Sequence, residues 1–175
     1  MRYVKGVLLG LFFLGLIMTG ISLLMPSSVH SAESVTIYAS QPRITSQLHD
    51  LRSWPDWFPF SSDTTTPIDF SFVQADGNYQ SIEWRAKDAI NRLEPVKADT
   101  NGLFFRWTRQ GESPLVIHFS ILPMQEEANS LQWTIHTELK WYPWERFSGI
   151  FFDQQVKPSQ KKALEKLKTI LEKKG

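Results

Sequence analysis

His118 and His136 fall at matching positions of two consecutive strand-like segments, and Glu138 follows His136 by two residues. Residues two apart in a strand share one face. Imidazole and carboxylate groups on a common face are what a metal site or an acid/base pair is built from. Glu83, Arg85, Arg106 and Thr108 share that polar phase. The phase is opposite to that of the apolar residues, so it faces water in a sheet covered on one side only. Two histidines lack the third fixed ligand that a zinc site requires. No catalytic residue, metal site or cofactor is therefore expected. The sequence also holds no P-loop, no GxGxxG and no Ser-His-Asp arrangement. Cysteine is absent, which removes thiol nucleophiles, disulfides and Cys-ligated metals.

The opposite phase offers a different chemistry. Phe70, Phe72, Trp84, Phe105, Trp107, Phe119 and Trp133 recur at alternate positions of successive segments. Large rings turned to one side of a sheet either pack a core or line an apolar cavity. These seven are the candidate ligand-binding residues. Trp54, Trp57, Phe58 and Phe60 crowd the stretch LRSWPDWFPF, which is too aromatic for a solvated loop. They read as a structural plug folded onto the sheet.

Charge is unevenly placed. Residues 26–156 hold ten Lys/Arg against sixteen Asp/Glu, a net of −6. Residues 157–175 hold seven Lys and two Glu, a net of +5. A nucleic-acid-binding domain would spread its cations over one face of its body. An acidic body with one basic terminal segment argues against that partner. The terminal lysines suit the solvated side of an amphipathic helix, with contact to anionic lipid as the alternative.

Gly6 to Met25 is a stretch of twenty residues without a charge. As a helix it is long enough to span a hydrocarbon core of about 30 Å. Arg2 and Lys5 precede it, and the next twenty residues carry Arg43 as their one basic residue. That bias predicts a cytoplasmic segment 1–5, a transmembrane anchor 6–25 and an extracytoplasmic domain 26–175. The expected location is the cytoplasmic (inner) membrane, single-pass. A cleaved signal peptide ending near Val29-His30-Ser31 is the alternative, although its apolar region is normally shorter. Gly6 and Gly10 form a lone GxxxG, a spacing that can pair membrane helices into a dimer.

The elements that must position the aromatic phase follow from periodicity. Val29–Tyr38 reads as a strand. Pro42 opens a helix capped by Ser40 or Gln41, with Ile44, Leu48 and Leu51 as its apolar stripe and Pro55 as its end. Ser61–Pro67 reads as a polar loop. Six strands follow as an antiparallel meander. Turns are expected at Asp76-Gly77, Lys87-Asp88, Asn101-Gly102, Gly111–Pro114 and Glu126–Asn129. Pro95 interrupts the segment 90–98 and marks it as an edge strand or a bulge. Leu139 and Trp141 extend the last strand. Phe147, Ile150 and Phe151 begin an apolar stripe, and Pro158 marks a kink or a second helix start. Leu164, Leu167 and Leu171 complete a long helix whose apolar side covers the sheet.

On LRSWPDWFPF, on ALEKLKTILE and on the Pro158 segment before it, the chain resembles the START-like (SRPBCC) superfamily. The likeness is to its polyketide cyclase/dehydrase-like group, and within it to small bacterial members with an N-terminal membrane helix. It covers residues 29–173. The sequence departs at Ala89-Ile90-Asn91-Arg92, where such members often carry a Gly-Glu-Gly-like stretch. The resemblance implies an α+β helix-grip fold: a curved antiparallel sheet wrapped on a long C-terminal helix, here preceded by one transmembrane helix. It further implies an apolar cavity between them and a hydrophobic or amphipathic ligand, such as a lipid. The expected function is a membrane-anchored binding module. The alternatives are an enzyme acting on an apolar substrate in the same cavity and an envelope interaction protein whose cavity is filled.

Overall fold

The computed structural model describes residues 2–60, 68–75, 78–86, 89–99, 102–124 and 128–173. The expected loop Ser61–Pro67 and the turns at Asp76-Gly77 and Lys87-Asp88 lie outside them, as do Asn101 and Glu126. Helix α1 spans Arg2–Leu23. Among the described residues it is the one helix long and apolar enough to cross a membrane, and a signal sequence has the same character. Its leucines and phenylalanines are exposed on the protein.

The domain after it is α+β. Strands β1 (Ser28–Tyr38), β2 (Phe70–Ala75), β3 (Asn78–Ala86), β4 (Ala89–Asp99), β5 (Gly102–Arg109), β6 (Leu115–Pro123) and β7 (Ala128–Glu138) form one sheet. Its order is β1-β7-β6-β5-β4-β3-β2, with every pair antiparallel. The last six strands are the expected meander. The first strand then closes onto the last, from Ser28 opposite Glu138 to Tyr38 opposite Ala128.

Curvature has local causes. The ladder shifts register between Val73 and Gln74 and again between Pro95 and Lys97. An extra residue on one strand bends it and sharpens its twist. Pro95 thus sits at a bulge, in an interior strand rather than an edge. Gly102 is the first residue of β5, faces Asp99, and has φ of 141°. A Cβ there would collide with the Phe119 carbonyl oxygen on β6, so only glycine lets these strands approach.

Helix α2 (Gln41–His49) starts with Pro42 in its first turn, as read from the sequence. It ends at His49 rather than at Pro55. The Asp50 side chain accepts from the Arg52 amide at 3.1 Å and starts a new 3₁₀ turn over Leu51–Asp56. Ile44, Leu48 and Leu51 are buried in spite of the break. Helix α4 (Phe152–Lys173) lies on the sheet against β1 and buries Ala163, Leu164, Leu167 and Leu171. Lys161, Lys162, Lys166 and Lys173 are exposed on its other side.

Pro158 lies inside α4, so of its two expected roles the second helix start is excluded. The bond it forfeits belongs to the Gln154 carbonyl, which lies on an exposed residue. Two further expectations at this end are corrected. The last strand stops at Glu138, and Trp141 points out to solvent. Phe147, Ile150 and Phe151 do not begin the core stripe. Residues Pro143–Gly149 form a separate short helix, α3, and Ile150 and Phe151 beyond it are exposed.

Candidate functional site

The concave side of the sheet is occupied by the chain's own aromatic residues. Trp54, Trp57, Phe58 and Phe60 pack from the 3₁₀ turn and the residues after it onto the sheet. Trp54 packs on Phe105 with centroids 4.7 Å apart and on Phe119 at 5.9 Å. Trp57 meets Phe119 at 6.0 Å and Trp133 at 6.3 Å. Phe58 meets Trp133 at 5.3 Å and Trp107 at 5.8 Å, and Phe60 meets Trp84 at 4.6 Å and Phe70 at 4.9 Å. Two indoles hold the plug by hydrogen bonds as well. Trp54 Nε1 donates to the Leu48 carbonyl at 3.0 Å, and Trp84 Nε1 donates to the Phe60 carbonyl at 3.3 Å.

The seven candidate ligand-binding residues therefore divide. Trp84, Phe105, Phe119 and Trp133 are buried among these rings. Phe70 and Phe72 are half-buried at the β2 edge. Trp107 is also half-buried, and it alone of the seven lines a cavity of about 460 Å³. That cavity opens where the plug ends, between β5, β6, β7 and α3. Trp107, Leu115, Leu139 and Phe152 supply its apolar wall. A volume of that size lies within the range of small-molecule sites, ~300–1,000 Å³.

Its rim is polar and already paired. Arg109 and Glu112 form an ion pair at 3.0 Å. Lys140 Nζ donates to the Gly111 carbonyl at 3.3 Å, and the Lys140 amide donates to Glu145 Oε1 at 3.2 Å. Trp107 Nε1 donates to Asn91 Oδ1 at 3.1 Å, which fixes the indole against the wall. Asn91 is buried and its amide donates to the Ala89 carbonyl. An apolar wall under a charged rim suits a guest with an apolar body and a polar end. Trp107 was legible as an inward residue. Phe152, Thr137 and the rim residues carried no sequence signal, because only the seating of α3 brings them together.

A smaller cavity of about 220 Å³ lies on the other side of α3, lined by Met25, Val29, Arg146, Gly149, Ile150 and Asp153 among others. Beside it, Ser31 Oγ lies 2.8 Å from both Asp153 Oδ1 and Gln160 Oε1. Gln160 is fully buried and donates to the Trp133 carbonyl at 3.2 Å. These bonds tie α4 to β1 and β7. A hydrogen bond from Lys157 at 2.7 Å, then that from Ser31, hold the Asp153 carboxyl below the usual carboxylate range. The same Asp153 contact raises Lys157.

The polar residues of the outer face behave as a solvated surface. Arg92 pairs with Glu83 at 3.6 Å and Glu94 at 3.1 Å, and Arg106 reaches Glu94 at 3.9 Å. These are cross-strand pairs of opposite charge. The His118 ring stacks on Phe104 at 4.2 Å. His136 lies opposite His30 across β1 and β7. Among the described residues no group of three or more His, Asp or Glu is placed to hold a metal.

Solved structures share this architecture. A START superfamily protein from Mycobacterium smegmatis superposes with a TM-score of 0.60 at 17% identity, over 83% of this chain and 99% of that one. The Zhui aromatase/cyclase from Streptomyces sp. R1128 gives 0.58 at 16% identity, over 83% and 94%. The chain has the START-like helix-grip fold. Protein jhp0584 from Helicobacter pylori is also similar, at 0.58 and 7% identity over 81% and 87% of the two chains. No family model matches the sequence, and no curated protein matches it. At these identities the likeness is one of fold. Among the described residues, the rings of Trp54, Trp57, Phe58 and Phe60 pack on the aromatic residues of the sheet's inner face.

Proposed function

We propose that this START-like domain is a binding module for a hydrophobic or amphipathic small molecule, held beside the membrane that α1 anchors. The fold suggests hydrophobic ligand binding in general. The observation that carries the reading here is the cavity of about 460 Å³, with Trp107 in an apolar wall below a charged rim. Apolar area of that kind favours such guests broadly. It separates them poorly, since one methylene is worth only about 1–3 kcal/mol. The positive charges before α1 favour an extracytoplasmic domain.

The test is native mass spectrometry of the full chain extracted in mild detergent, followed by titration with fatty acids, isoprenoids and polycyclic dyes. Trp107→Ala is expected to weaken saturable binding by more than it lowers stability. No co-purified guest and no saturable binding across that panel would overturn the reading. Protease added to intact spheroplasts is expected to digest the domain, and full protection would overturn the orientation.

The plug favours a second reading, in which a filled domain acts as an envelope interaction protein. Trp54, Trp57, Phe58 and Phe60 occupy the space where the fold would otherwise hold a large guest. Failure of the ligand panel, with capture of a protein partner at the domain surface in crosslinked envelopes, would favour it.

A further inference from the structure

Five of the chain's seven tryptophans are inside the fold, and two are not. Trp141 is 61% exposed and Trp144 is 72% exposed. Ile150 and Phe151, just beyond, are 58% and 52% exposed. The Trp141 and Tyr142 rings are 5.2 Å apart, and Tyr142 stacks on Trp144 at 5.0 Å. This is a concentrated apolar surface around one short helix, and surfaces of that kind mark contact sites.

Its position identifies the occupant. Helix α3 meets α1. Arg146 Nη1 donates to the Met25 carbonyl at 2.6 Å, two residues beyond the end of α1. At Gly149 the missing side chain lets α3 press against Leu139 and Val29. Thus α3 is clamped to the segment that leaves the apolar helix. With α1 across a bilayer, Met25 lies at the outer end of the span, and α3 is held one hydrogen bond away at that depth. Tryptophan and tyrosine concentrate at this level, where an apolar ring meets fatty chains and its polar edge meets water.

We propose that residues 141–151 form a second membrane contact, an interfacial anchor that lays the α3 end of the domain on the bilayer holding α1. The occupant is the boundary between lipid headgroups and acyl chains. This rests on α1 being a membrane span. Residues of α3 line both cavities: Glu145 and Ser148 in the larger, Arg146 and Gly149 in the smaller. Docking by α3 therefore brings both cavities to the lipid surface, where an apolar guest can pass without crossing bulk water.

The test uses the full chain reconstituted in phosphatidylcholine vesicles, with part of the lipid brominated close to the headgroup. Bromine quenches indoles that touch it, and Trp141 and Trp144 are the exposed pair. The chain is expected to float with the vesicles and lose tryptophan emission. Trp141→Phe with Trp144→Phe should abolish that loss while flotation remains. Ile150→Ser with Phe151→Ser keeps both reporters and should reduce the quenching by weakening the contact. Flotation with no quenching of the unmodified chain overturns the interfacial anchor and leaves the span intact. So does crosslinking of two copies through Trp144 without quenching, because the occupant is then a second chain. Failure to float, or release by alkaline carbonate, overturns the span itself.

Discussion

Trp54 fills the concave face of the sheet by packing on Phe105, with ring centroids 4.7 Å apart. It is fully buried, and its indole N–H is satisfied by the Leu48 carbonyl. A residue from the segment after α2 thereby becomes the centre of the sheet's core. Trp54→Ala should cost about 3–5 kcal/mol, the range for deleting a buried aromatic side chain. Chemical denaturation of the full chain in detergent measures it. A midpoint equal to that of the unmodified chain would mean the plug carries no stability.

The grip of α4 is tested by two neighbouring positions. Leu167 is fully buried, and Lys166 faces water. Leu167→Ala should lower stability by about 2–5 kcal/mol. Lys166→Ala should change it by no more than about 0.5 kcal/mol. Equal effects at the two positions would contradict the helix orientation.

Gly102→Ala should destabilise strongly for two separate reasons. A φ of 141° is strained for any residue with a side chain, at about 1–3 kcal/mol. The added methyl would also strike backbone, the Phe119 carbonyl, which cannot rotate away. Gly111 shares the positive φ, at 87°, but a Cβ there meets open space, so the clash alone should put the Gly102→Ala midpoint below that of Gly111→Ala. The reverse order would refute the close approach of β5 to β6.

Asp153 contributes to the pH dependence of the α4 clamp. Its carboxyl is held below the ordinary 3.8, so the ionised form belongs to the folded state. The stability it adds is present above 3.8 and is lost as pH falls through the lower folded value. Lys157 is raised above 10.5, so its share is present below 10.5 and lost as pH rises past the folded value. Unfolding midpoints followed across both windows should show these two losses in the unmodified chain. Asp153→Asn should reduce both. A variant that keeps the acid and alkaline dependence would assign them to other groups.

Much of the fold was legible because its signals are local. Alternation along Leu103, Phe105 and Trp107, or Leu131, Trp133 and Ile135, needs only a pleated strand with one covered face. The spacing of Leu164, Leu167 and Leu171 needs only a helix with one apolar side. Pro95 announced a break in a ladder, though not whether the strand lay inside the sheet or at its edge. The periodicity of Phe147, Ile150 and Phe151 misled for a related reason. A pattern of apolar residues states that a surface wants cover, and it does not state whether core or membrane provides it.

By itself the sequence determined the order of the strands along the chain, the inward phase of the meander, the long closing helix and a twenty-residue apolar stretch long enough for a membrane. Those follow from steric and solvation preferences acting over one or two turns of chain. Only the tertiary structure decided that β1 closes onto β7 and that Ser31 meets Gln160, a contact between residues 129 positions apart. It also decided that the plug fills the concave face, leaving Trp107 at the wall of a cavity beside α3. Such contacts depend on how volumes packed from distant segments fit together. No residue's type carries the shape of the space that its neighbours leave.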